Sequence, residues 1–248
     1  MQAKFLFRIA AALAFASGGG IATALAGAPD GGLNPLPPAL EIRFALSAAP
    51  PALRGAATVY VLDVTKGYRV ARQGSSGVEC LVERTAWEHA EYRDDVFVPL
   101  CYDAAGARTY LKVIREVAEL RANGKSAAAV KAEIERRYQS REYQTPGPGV
   151  SYMIAPIMRT WMLPDMNVHT MPMPHVMFYA PNISDRDLGA RPGVDIAFPF
   201  IFKEGIAEQS YVIQVLGESE KANILTTESE LLHDLCDARS DLCISAPN

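Results

Sequence analysis

The sequence has no surplus of basic residues: 24 Lys and Arg stand against 28 Asp and Glu, a formal net charge of −4 at neutral pH. A positive stripe able to neutralise a row of phosphates is therefore missing, which argues against nucleic acid as a partner. Catalytic signatures are missing as well. There is no G-x-G-x-x-G, no Walker loop, no H-E-x-x-H, no G-x-S-x-G and no S-x-x-K, so dinucleotide, nucleotide, zincin, α/β-hydrolase and penicillin-binding chemistries have no motif support. Histidine is scarce, with four residues in 248. With 49% hydrophobic and 21% charged residues, the composition is that of an ordinary globular chain rather than a disordered or collagenous one.

Charge is also missing between Arg8 and Asp30. Lys4 and Arg8 form a positive n-region, Ile9 to Ala16 an apolar h-region, and Ala24-Leu25-Ala26 a small-x-small site, so residues 1–26 read as a secretory signal peptide. Cleavage would remove two basic residues and no acid. Behind it no membrane span is expected, and no cysteine offers a lipid anchor. Gly18, Gly19 and Gly20 weaken the rival reading of an uncleaved anchor helix.

In an exported chain an even number of cysteines reads as disulfides. Four allow three connectivities, and nearest-neighbour pairing, Cys80–Cys101 and Cys236–Cys243, is the most economical. The first bond would contribute about 3 kcal/mol by restricting the unfolded chain. Neither pair forms a C-x-x-C redox motif. These features together place the protein in the periplasm or outside the cell.

Residues 27–50 are rich in Pro and Gly and read as an extended lead-in, with one α+β domain spanning 51–248. Ala57–Asp63, Tyr68–Ala71 and Val78–Val82 alternate as short strands separated by Lys66-Gly67 and Gly74-Ser75-Ser76-Gly77, the pattern of an antiparallel meander. Asp103 caps a helix expected to run to Ala122, with Leu111, Ile114, Val117 and Leu120 on one face. Asn123-Gly124 stops it and Ser126 caps a second helix carrying Val130, Ile134 and Tyr138. Pro146-Gly147-Pro148-Gly149 then opens a second β-rich half, with strands expected at 150–155, 175–180, 194–201 and 210–216. Thr227-Glu228-Ser229-Glu230 has the form of a capping box before a short last helix. Strands, then helices, then strands without βαβ alternation mean α+β: a meander, a helical hairpin and a β-rich half around one core.

One segment is chemically unusual. Apart from the initiator, every methionine lies between Met153 and Met177, and two of the four histidines lie there too. In His169-Thr170-Met171-Pro172-Met173-Pro174-His175-Val176-Met177 the prolines force extended backbone before them. With period two, His169, Met171, Met173, His175 and Met177 would project to one side. Thioethers flanked by imidazoles suit Cu(I), since thioether sulfur needs no deprotonation, and copper is the cofactor this pattern favours. The competing reading is packing: methionine fills cores, Met177-Phe178-Tyr179 looks like a buried strand, and Met153, Met158, Trp161 and Met162 could line a core beneath a loop. A methionine surface also suits an apolar ligand.

A second segment, Trp87-Glu88-His89-Ala90-Glu91-Tyr92-Arg93-Asp94-Asp95, sets a histidine among four carboxylates. His89, or His175 of the Met/His segment, would serve as the acid–base residue of a hydrolase-type enzyme, with nearby carboxylates to orient it. Solvated surface loop is the plainer expectation.

The run from Gly67 to Arg84 (Gly67-Tyr68-Arg69-Val70-Ala71-Arg72-Gln73-Gly74-Ser75-Ser76-Gly77-Val78-Glu79-Cys80-Leu81-Val82-Glu83-Arg84), with Pro174-His175-Val176-Met177-Phe178-Tyr179, resembles a family of exported bacterial proteins with no assigned activity. The likeness spans most of the mature chain. It implies export and one fold unit, and it implies no activity, cofactor or site residue. The sequence therefore points to an exported binding protein, with copper through the Met/His segment as its sharpest form and a secreted hydrolase as the alternative.

Overall fold

The computed structural model describes residues 32–162, 167–189, 198–203 and 206–244; the signal-peptide reading of residues 1–26 lies outside them. The fold is α+β. Its first element corrects the extended lead-in: α1, Pro38–Ser47, is a helix, and Leu40, Phe44 and Ala45 are buried in the core. Proline at the first helical position costs nothing, because that N–H has no intrahelical partner. Downstream of it Leu40-Glu41-Ile42-Arg43-Phe44-Ala45 has ordinary helical residues with an apolar stripe. A short helix α2, Pro51–Arg54, follows.

Strands β1 (Thr58–Asp63), β2 (Gly67–Arg72) and β3 (Glu79–Glu83) lie where the alternation places them. The meander does not form. β2 pairs antiparallel with β1, but β3 lies on the other side of β1 and runs parallel to it. The return loop crosses the start of β1, with Ser75 N–H donating to Ala56 O and Thr58 N–H to Val78 O, both at 2.8 Å. Gly74 permits the crossing, since a Cβ there would meet Ala56 O at 2.2 Å.

The chain continues through β4 (Val98–Tyr102), α3 (Ala104–Ala107), α4 (Tyr110–Ala122), α5 (Ala127–Gln139), β5 (Val150–Met153), β6 (Met158–Met162), β7 (Asn167–Met171), β8 (His175–Tyr179), α6 (Asp185–Leu188), β9 (Phe200–Lys203), β10 (Ser210–Val215), α7 (Glu218–Thr227) and α8 (Ser229–Ala238). The helix expected from Asp103 is two helices. Asp103 Oδ1 accepts from the N–H groups of Ala105 and Gly106, and the chain breaks at Thr109 before α4 begins. Ser126 caps α5 as expected, accepting from Ala129 N–H at 3.3 Å. The capping box at Thr227 is not made: that hydroxyl donates back to Asn223 O, and α7 runs up to it.

Eight strands form one sheet in the order β2-β1-β3-β4-β5-β8-β10-β9, and β6–β7 is a separate two-stranded hairpin. One face of the sheet carries Val59, Cys80, Val82 and Cys101 and packs on α1 and α8. The opposite face carries Tyr60, Leu62, Leu81, Leu100, Tyr102, Met153, Met177, Tyr211 and Ile213 and packs on Tyr110, Leu111 and Ile114 of α4. The α4–α5 hairpin covers only part of that face. Beyond it the β6–β7 hairpin stands over the sheet, tied to the segment before β4 by reciprocal bonds of 2.8 Å between Phe97 and Arg159.

Both disulfides form with the nearest-neighbour pairing. Cys80–Cys101 joins register partners on β3 and β4 beneath α1, and Cys236–Cys243 closes the turn after α8. Two formed disulfides are the mark of an oxidising compartment. Among the described residues no helix is long and apolar enough to cross a membrane.

Candidate functional site

Where the β6–β7 hairpin stands over the sheet, a cavity of about 470 Å³ remains between them. Its floor follows from strand register. Glu83 and Val98 are partners on β3 and β4, Met153 and His175 on β5 and β8, Met177 and Ile213 on β8 and β10, and Ile213 and Phe200 on β10 and β9. Directly paired residues in an antiparallel ladder point to the same face with Cβ atoms about 5 Å apart. All of these line the cavity. Met158, Thr160 and Trp161 from β6 form the roof, and Met173 enters from the β7–β8 connection.

Five residues were expected to share one side of the Met/His segment, and they do not. Pro172 and Pro174 end the hairpin and start β8, so the segment is divided between two sheets rather than running as one strand. His169 and Met171 belong to β7; His169 is exposed, Met171 packs at the edge of the core, and neither lines the cavity. Met173, His175 and Met177 do line it, joined by Met153 and Met158. The packing reading holds for part of the cluster, since Met153, Met158 and Met177 are almost fully buried members of the core. Among the described residues no group of three or more His, Cys, Asp or Glu side chains is arranged to hold a metal ion.

His175 is 2% exposed, and its Nδ1 lies 2.7 Å from Met173 O. A carbonyl only accepts, so Nδ1 carries the hydrogen and the lone pair of the neutral ring sits on Nε2. Burial pushes its pKa down to about 4, against a partial lift from that hydrogen bond, so the ring is neutral at pH 7. A group so far from neutrality is a poor proton shuttle.

The loop from Trp87 to Asp95 is less solvated than its composition implies. Trp87–His89 is a single 3-10 turn, and Trp87 is buried against Val113, Val117, Val130 and Ile134 of the helical hairpin. That anchor turns Glu88 inward, where its side chain is 10% exposed and lines the cavity. Burial raises its pKa to about 7, opposed weakly by its own backbone and by Lys131, whose ammonium donates to Glu88 O at 2.8 Å. His89 faces the other way. It packs edge-on against Trp161 with centroids 4.5 Å apart, its Nε2 is 3.9 Å from Glu88 Oε1, and it does not line the cavity. Burial lowers its pKa. Its place is that of a support for the Trp161 wall.

The chain matches no protein-family model, no curated protein and no solved structure.

Three polar residues of the cavity were not singled out as a group in the sequence. Glu83, Thr85 and Glu88 come from one short stretch, and all three line the cavity, Glu83 from the last position of β3. Glu83 and Thr85 are each 7% exposed. Thr85 Oγ1 is buried without a hydrogen-bond partner among the described residues. The only sequence signal was the spacing: Glu83 and Thr85 are two apart at the end of a strand, which puts both on one face.

Proposed function

We propose that the protein is a non-enzymatic binding protein, exported to the periplasm or the medium, and that its ligand is a small, largely apolar molecule held between the sheet and the β6–β7 hairpin. One observation carries this reading. A cavity of about 470 Å³ is lined mainly by Met, Trp, Phe, Ile and Val, with a smaller number of polar side chains among them. That is the usual size and make-up of a small-molecule site. Export is supported by the two disulfides and by the signal-like sequence of residues 1–26. The enzyme reading has less support, because neither His89 nor His175 has the combination of placement and titration that proton transfer needs.

The test is a fluorescence titration with the neutral apolar probe phenylnaphthylamine. Saturation at one equivalent, lost in a Thr160→Trp variant that puts an indole into the cavity from the hairpin side, supports the reading. Binding that is absent, or unchanged in that variant, rejects it.

Copper is the second reading, favoured by a specific observation: the thioethers of Met153, Met158, Met173 and Met177 and the imidazole of His175 line the same cavity. Soft sulfur ligands with one imidazole suit Cu(I). This ligand set differs from the contiguous five residues of the segment, with Met153 and Met158 replacing His169 and Met171. A Cu(I) titration against a competing chelator decides it: one-to-one binding abolished by Met153→Leu with Met177→Leu supports copper, and binding unaffected by that pair rejects it.

A further inference from the structure

We propose that the Cys236–Cys243 disulfide is a redox-sensitive latch on the roof of the cavity, closed in the oxidised chain and released when a dithiol reduces it. The proposal rests on the cavity being a binding site and adds how access to that site is regulated. The β6–β7 hairpin is a sheet of its own, so among the described residues no strand ladder fixes it to the eight-stranded sheet beneath. Arg159 on β6 and Thr170 on β7 bind it to the C-terminal turn instead. Arg159 Nε lies 3.5 Å from Asp241 Oδ2, and Thr170 Oγ1 donates to Asp241 O. Arg159 Nη1 in turn donates to Thr170 Oγ1 at 3.1 Å, so one aspartate meets both strands of the hairpin. The Arg159 side chain is 16% exposed and that of Asp241 27%, so the pair is screened less than one on the open surface.

The disulfide sets the position of Asp241. That residue is the middle of a 3-10 turn, Ser240–Leu242, in which Leu242 N–H donates to Arg239 O at 2.9 Å and Cys243 N–H to Ser240 O at 3.3 Å. A single 3-10 turn has poor hydrogen-bond geometry and little stability of its own. The bond from Cys236 on α8 to Cys243 fastens the far end of the turn to the helix. Leu242 is buried in the core, so reduction loosens the turn without detaching it. The two disulfides also differ in access. Cys80 and Cys101 are fully buried, whereas Cys236 and Cys243 are partly exposed. Exchange requires a thiolate to reach a sulfur, so an external dithiol meets the Cys236–Cys243 bond first. One thiolate of the dithiol attacks and breaks the S–S bond, giving a mixed disulfide, and its second thiol displaces the remaining cysteine. Two electrons and two protons pass to the pair. Cys236 and Cys243 end as thiols and the dithiol ends as a disulfide.

The test compares the oxidised full chain with the same chain treated with dithiothreitol, with a Cys236→Ser, Cys243→Ser variant and with Asp241→Asn, which keeps the disulfide. Amide hydrogen exchange reads the hairpin, and the release rate of phenylnaphthylamine reads the cavity. Reduction and both variants are expected to speed exchange of Arg159 N–H, which donates to Phe97 O, at least tenfold, with the amides of β3 and β4 unchanged. Probe release is expected to quicken at least fivefold. Unchanged hairpin exchange in the reduced chain or in either variant overturns the latch, and so does dithiothreitol opening Cys80–Cys101 before Cys236–Cys243. Hairpin amides that quicken in a chain taking up no probe overturn the binding site, and the regulation of access with it, while the latch on the hairpin stands. The dithiothreitol comparison uses the unaltered chain, so it decides the question even where a variant fails to fold.

Discussion

Met153 and His175 are register partners across the β5–β8 ladder, so a thioether and a neutral imidazole stand side by side on the floor of the cavity. The neutrality of His175 has a consequence for stability. Its pKa is about 4 in the folded chain against 6.5 ordinarily, so the unfolded chain takes up the proton first as pH falls. The contribution of the neutral ring is present above pH 6.5 and is lost between 6.5 and 4, with about 2 kcal/mol gone between pH 7 and 5. His175→Asn keeps an N–H for Met173 O and removes the titration. Urea unfolding at the two pH values should show a smaller acid loss in the variant by about that amount. Equal losses in both proteins would contradict the burial argument.

Glu41 works in the opposite direction. It is 2% exposed on α1, its Oε1 accepts from Leu62 N–H at 2.9 Å, and burial raises its pKa to about 7 from 4.5. Here the folded chain holds the proton more tightly. The contribution is full below pH 4.5 and is lost as pH rises through 7, again about 2 kcal/mol between pH 5 and 7. Glu41→Gln keeps the acceptor for Leu62. It should be more stable than the unaltered protein at pH 8 and should lose less on going from pH 5 to 8. A variant that tracks the unaltered protein across that range would show that Glu41 does not titrate with folding.

Gly106 tests the packing on which β5 and β8 rest. It lies within α3, where alanine would ordinarily gain about 1 kcal/mol of helix propensity. A Cβ there would come within 2.0 Å of Tyr179 Oη, whose single hydrogen is shared between Asp103 Oδ1 at 3.0 Å and Val150 O at 2.9 Å. The clash should outweigh propensity, and Gly106→Ala should lower stability by roughly 1–3 kcal/mol in thermal unfolding. Gly55→Ala, with nothing within 4 Å, serves as the control and should be near neutral. A stabilised Gly106→Ala would mean that the tyrosine contact is not held in solution.

The parts of the fold legible in the sequence are those set by neighbours in the chain. Alternation marked β1, β2 and β3, helical spacing marked α4 and α5, and short loop length marked both disulfides. The parallel pairing of β1 with β3 depends on a loop crossing that only Gly74 permits, and alternation carries no information about which edge a strand joins. β4 was hidden by Pro99 and the charged run before it, and α1 by its leading prolines. Of the five expected soft-metal ligands, Met173, His175 and Met177 reach the cavity; the rest of its wall comes from strands between 83 and 213, which no local motif connects. Glu88 was visible only as one acid in a charged loop, because its inward turn is set by the burial of Trp87 next to it.

The most direct test of the binding site is methyl NMR of the methionines while phenylbutanol is added. Met153, Met158, Met173 and Met177 line the cavity and Met171 does not. The four lining methyl resonances are expected to shift together and saturate at one equivalent, with Met171 moving least. Four unmoved resonances, or a shift confined to Met171, would contradict the assignment of this cavity as the site.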